Sequence, residues 1–90
     1  MRTLEELRLE IDRIDQEMVR LFEERMQVVS EVIEYKKAAG LPILDASREE
    51  AVVAKNTARL TDPGLAVYYE RLIRQMMALS REYQASLLEE

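Results

Sequence analysis

Eight polar residues scattered through this chain could do chemistry together: Arg8, Arg25, Lys36, Asp45, Arg48, Glu49, Ser80 and Gln84. They comprise four cations, two carboxylates, a hydroxyl and an amide. The chain has no cysteine and no histidine. That removes the thiolate nucleophile, the usual general base and the commonest metal ligand. Such a set is suited to gripping a small polyanion and donating hydrogen bonds to it.

Each residue also has a plainer explanation. Arg25 falls in an otherwise apolar stripe, where it either fixes helix register by pairing with a glutamate or holds an anion in a planar, two-pronged grip. Arg8, seventeen residues earlier, lies about 25 Å along a helix from Arg25. The two cannot meet on a small ligand within one helix, but they can if Arg8 comes from a second chain. Taken alone, Arg8 is a solvated charge. Lys36 follows Arg25 by three turns, near a helix C-terminus where cations sit well. Asp45, Arg48 and Glu49 are either the first turn of a helix or part of a site. Ser80 and Gln84 share a row with Ile73 and Met77, and that row carries no charge, whereas neighbouring Arg81 and Glu82 mark the surface.

The elements that position these residues are helical. The 90 residues are 48% hydrophobic and 34% charged, with two glycines and two prolines. Leu4, Leu7, Ile11, Ile14, Met18, Leu21, Arg25, Val28, Val32, Tyr35 and Ala39 recur at alternating steps of three and four, the seam of a long helix packed along its length. Thr3 with Glu6 makes a capping box, and Gly40 with Pro42 ends the helix. At ~1.5 Å per residue it is about 54 Å long, beyond the reach of any monomeric core of this size. A second helix is expected over 47–60, with Ser47 and Glu50 as its capping box. A third is expected over 63–88, starting from Asp62 and Pro63, with Leu65, Tyr69, Leu72, Met76, Leu79 and Tyr83 as its main stripe.

The expected fold is all-α, a single domain over 1–90 of one long, one short and one medium helix. Two short partners cannot cover the long one, and an exposed heptad seam calls for a second copy. The expectation is therefore an intertwined helical-bundle homodimer. The net charge of −5 disfavours nucleic acid and anionic membranes. No stretch could span a bilayer, and the compartment expected is the cytoplasm.

These landmarks resemble a known family. Leu7-Arg8-x-x-Ile11-x-x-Ile14-Asp15, Leu21-x-x-x-Arg25, Lys36, Pro42-x-x-Asp45-x-x-Arg48-Glu49 and Ser80-x-x-x-Gln84 stand in the order and spacing of the all-helical class of chorismate mutases. The resemblance covers nearly the whole chain. It implies an intertwined dimer converting chorismate to prephenate by a Claisen rearrangement, at the branch towards phenylalanine and tyrosine, with no cofactor and no metal. It further implies that Arg25, assisted by Ser80, grips one substrate carboxylate, and that Arg8 from the other subunit grips the second. Lys36 would contact that carboxylate and the ether oxygen, to which Gln84 also donates. Glu49 and the backbone near Asp45 would bind the ring hydroxyl, and Arg48 would complete the positive wall. Two other functions fit the same chain: an isochorismate-pyruvate lyase, and a non-catalytic helical dimer that regulates a partner enzyme of the same pathway.

Overall fold

The computed structural model describes residues 1–89. Within them the chain forms helix α1 (Leu4–Ala39), helix α2 (Ala46–Thr57), a 3₁₀ turn (Pro63–Leu65) and helix α3 (Ala66–Leu88), with no strand among the described residues. Local chemistry sets most boundaries. The Thr3 hydroxyl accepts from the Glu6 backbone N–H at 3.1 Å while Glu6 reaches back to the Thr3 N–H, closing the expected capping box. Gly40 ends α1 in the left-handed region, φ 69°, which a residue without a Cβ adopts freely.

Helix α2 departs from expectation at both ends. Its cap is Asp45, whose carboxylate accepts from the Arg48 backbone N–H at 3.0 Å. Ser47 sits inside the helix and donates its hydroxyl to Asp45, while Glu50 pairs with Arg74, so the capping box expected of Ser47 and Glu50 does not form. The helix stops at Thr57 because Arg59 and Leu60 bond back only three residues, the tighter 3₁₀ pattern. Asp62 caps the next turn by accepting from the Gly64 N–H at 2.9 Å, and that turn leads into α3.

Helix α3 packs against α1 on one side and α2 on the other, whereas α1 and α2 do not pack on each other. The chain core is small. Among the described residues Ile33, Val53, Ile73 and Met77 are the buried hydrophobic ones, with Val52, Tyr69 and Met76 packed against the last three. The row buried on α3 is Ile73, Met77, Ser80 and Gln84. Most of the expected main stripe lies open instead: Leu65, Leu72 and Leu79 are exposed.

The seam of α1 is likewise turned outward in the single chain. Leu7, Ile11, Ile14, Met18, Leu21, Val28 and Val32 are all exposed. The positions that pack on α3 lie beside the seam, notably Met26, Val29 and Ile33. Most of the α1 seam and much of the α3 stripe are thus exposed in the single chain, while Tyr69 and Met76 of the latter pack on its core. The molecule measures 56 × 27 × 15 Å. It exposes 7302 Å², against about 5,400 Å² for a compact chain of this size. Among the described residues no helix is long and apolar enough to cross a membrane.

Candidate active site

The gap between α1 and α2, floored by α3, is a cleft of about 170 Å³. Seven of the eight residues singled out above line it: Arg25 and Lys36 from α1, Asp45, Arg48 and Glu49 from the start of α2, and Ser80 and Gln84 from α3. Val29, Val32, Ile43, Val52 and Met77 supply apolar wall. Arg8 is elsewhere, in an exposed stretch of α1 beside Leu4, Glu5, Leu9 and Asp12, and its own chain does not bring it to the cleft.

The polar contacts inside the cleft are selective. Arg25 Nη1 donates to the Ser80 hydroxyl at 2.6 Å, and that hydroxyl donates to the Met76 carbonyl at 2.9 Å. Ser80 is buried, so its oxygen is a fixed acceptor holding the guanidinium in place. Lys36 Nζ donates to the Ile43 carbonyl at 2.6 Å and to Gln84 Oε1 at 3.4 Å. This contact ties the end of α1 to the following loop and to α3. With its oxygen engaged by Lys36, Gln84 has its N–H donors left for a ligand.

Among the described residues, Arg25, Lys36 and Arg48 form no ion pair with a carboxylate, although 18 of the 90 residues are Asp or Glu. Elsewhere on the molecule arginines do find carboxylates: Arg13 with Glu10, Arg20 with Glu17 and Glu24, and Arg74 with Glu50 and Glu70. Among the described residues no glutamate pairs with Arg25, one of the two roles its seam position allowed. Cations held by neutral partners at a cleft form a receptor for anions.

Asp45 has a structural job. The Arg48 backbone N–H and the Ser47 hydroxyl hold its carboxyl below the ordinary value of 3.8, and the charges of Lys36 and Arg48 add a smaller pull. It caps α2 at the cleft mouth. Glu49 faces the cleft from the next turn and pairs with Arg81.

Arg81 is the cleft residue that the sequence reading assigned to the surface. It is partly buried, lines the cleft and donates from Nη1 to Glu49 Oε1. Its place between Ser80 and Gln84 on α3 was a usable signal: an i, i+3 neighbour of a pocket residue shares its face. No grouping of His, Cys, Asp or Glu suited to a metal ion occurs among the described residues.

Comparison with known proteins finds relatives of this chain. The T-protein of Haemophilus influenzae is 35% identical over 78 residues, which is 86% of this chain and 21% of that protein. A bifunctional chorismate mutase/prephenate dehydratase of Aquifex aeolicus is 46% identical over 55 residues, 61% of this chain and 15% of that protein. This chain therefore spans about a fifth or less of the length of these curated relatives. The family described as chorismate mutase type II matches residues 7–85. That match runs from the seam residue before Arg8 to the residue after Gln84, and the chain belongs to the chorismate mutase type II family.

Proposed function

We propose that this chain is a chorismate mutase that acts as a homodimer and rearranges chorismate to prephenate without a covalent intermediate. The observation that carries the reading is the pair of unpaired cations, Arg25 and Lys36, held by the neutral partners Ser80 and Gln84 across one cleft. The rearrangement breaks one C–O bond as one C–C bond forms, with no proton to transfer, so a site without histidine or cysteine suffices. The protein must fold the enolpyruvyl arm over the ring and hold it there. It must also bind the transition state more tightly than the substrate.

In this mechanism Arg25, set by Ser80, takes one carboxylate of the dianion. Arg8 of the partner subunit takes the other. Negative charge grows on the ether oxygen as its bond lengthens. Lys36 and the Gln84 amide donate to that oxygen and are worth most in the transition state. Glu49 and the backbone at Asp45 accept and orient the ring hydroxyl, and Arg48 adds positive charge at the mouth. Because Gln84 is a neutral amide, the rate should stay flat between about pH 5 and 8.

The dimer is supported by exposed area. The excess over a compact monomer is roughly 1,900 Å² per chain, so a pair could bury about 3,800 Å², within the range of obligate dimers. An apolar concavity between α1 and α3, lined by Met18, Leu21, Phe22, Leu72, Met76 and Leu79, offers a seat for the second copy. The Aquifex aeolicus relative joins chorismate mutase to prephenate dehydratase by name, which suggests an enzyme consuming prephenate as a pathway partner. The expected compartment is the cytoplasm.

Loss of chorismate absorbance with purified protein tests the reading. Wild type should deplete chorismate and form prephenate, and Arg25→Ala should be about 10²–10³-fold slower while remaining a folded dimer. Wild type and variant equally inactive as folded dimers would favour the regulatory alternative. Release of pyruvate from isochorismate at higher efficiency would favour the lyase.

A further inference from the structure

We propose that Arg81 is a positioning residue for Glu49, fixing that carboxylate so that it receives the substrate's ring hydroxyl. The inference rests on the mutase reading above. Arg81 Nη1 donates to Glu49 Oε1 across the α2–α3 junction, and both side chains line the cleft. Both are partly withdrawn from solvent, at 35% and 23% exposure. Among the described residues this is the sole ion pair within the cleft, where Arg25, Lys36 and Arg48 have none.

A carboxylate on the wall of a site for a dianion needs a counter-charge. Glu49 left alone would repel the substrate that its own oxygen must bind. Arg81 cancels that charge while occupying one oxygen. Among the described residues Glu49 Oε2 has no partner and stays free to accept an O–H. The cleft's own residues then carry four cations against two carboxylates, a net +2 that matches a dicarboxylate. Arg81 also removes the rotameric freedom of Glu49 before substrate arrives, which is preorganisation.

The neighbouring ion pair separates this role from a simple helix clamp. Arg74 binds both oxygens of Glu50 at 2.8 and 3.0 Å and also reaches Glu70. That exposed fork ties α2 to α3 two turns earlier on α3 and lies outside the cleft. Arg81 adds a second tie at the one place where the tied carboxylate faces the site.

The test compares Arg81→Gln, Arg81→Lys, Glu49→Gln, the Arg81→Gln/Glu49→Gln double variant and Arg74→Ala. Steady-state kinetics are measured on chorismate and on an analogue lacking the ring hydroxyl, with thermal unfolding run alongside. Arg81→Gln should lose about 10–100-fold in kcat/KM on chorismate, the usual scale for a group that orients a ligand-binding residue. The loss should fall mainly on KM, because the hydroxyl takes no part in bond making or breaking. On the analogue the loss should shrink to within about 3-fold. Arg81→Lys should recover part of the activity, the double variant should be no worse than Glu49→Gln alone, and Arg74→Ala should lower the melting temperature without changing kcat/KM. Equal losses on both substrates, additive losses in the double variant, or a stability loss alone in both Arg81 variants would overturn the positioning role. Wild type that turns over chorismate while Arg81→Gln matches it overturns Arg81's role only. Wild type that leaves chorismate untouched overturns the mutase reading and this role with it.

Discussion

The two halves of α1 share one heptad register and do different work. From Arg25 to Lys36 the helix packs on α3 and lines the cleft. From Leu4 to Leu21 its apolar residues are all exposed in the single chain, and Leu4, Ile11 and Leu21 are each more than half exposed. Comparing positions three heptads apart explains why. Val29, Ile33 and Lys36 in the second half stand where Arg8, Asp12 and Asp15 stand in the first. The second half therefore has two usable faces, one for α3 and one outside. The first half carries charge at those positions, and its apolar residues stay exposed in the single chain.

The largest effect that tests this contrast is Leu7→Glu. A charge placed in the open seam should leave the intrachain cleft unaltered yet dissociate the proposed dimer. Activity should fall more than about 10³-fold at micromolar protein and return in part at high concentration. A monomer with full activity would erase the distinction between the halves. Next is Lys36→Met in the other half. Loss of a donor to the ether oxygen should slow turnover about 10²–10³-fold with the dimer intact by sedimentation.

A mixing experiment sharpens the comparison further. Arg8→Ala and Arg25→Ala should each be crippled as homodimers. Mixed and allowed to exchange, half the dimers pair one of each, and one site in each such dimer has both arginines. Activity should rise to about a quarter of wild type. No recovery would place Arg8 outside the site.

The smallest effect belongs to Asp45→Asn, which weakens the cap of α2 and should lower the melting temperature slightly. The Asp45 carboxyl is held below 3.8 in the folded chain, so its contribution is fully present above that value. It is lost as the pH falls through the lowered folded value. The difference between wild type and variant should thus vanish in strong acid.

What was legible in the sequence follows the range of the interaction. Helix signals at Thr3, Gly40, Asp62 and Pro63 depend on residues a few positions apart; Thr3 and Gly40 bound α1 as expected, while Asp62 and Pro63 start a 3₁₀ turn and α3 itself begins at Ala66. The set Arg25, Lys36, Asp45, Arg48, Glu49, Ser80 and Gln84 was legible as a group, and the chain gathers it at one cleft. The α3 stripe was misjudged because periodicity measures amphipathicity and not what covers it, whereas the α1 seam is open in the single chain as its length implied. On α3 the apolar row with Leu72 and Leu79 is longer than the row with Ile73 and Met77, yet the shorter one is buried. Arg81 was missed because its partner is Glu49, 32 residues away on another helix. The capping box at Ser47 was misplaced because Asp45, two residues earlier, offers a carboxylate to the same turn.

The four-residue hydrophobic core has a kinetic consequence. Ile33, Val53, Ile73 and Met77 are too few to hold three helices against the entropy of a free chain. With the dimer proposed above, the step that secures the fold is an encounter between two chains, so refolding should follow second-order kinetics. Its half-time should shorten as protein is added, and each tenfold rise in concentration should favour the assembled state by about 1.4 kcal/mol. Dilution then acts on this protein as a denaturant does on a monomer.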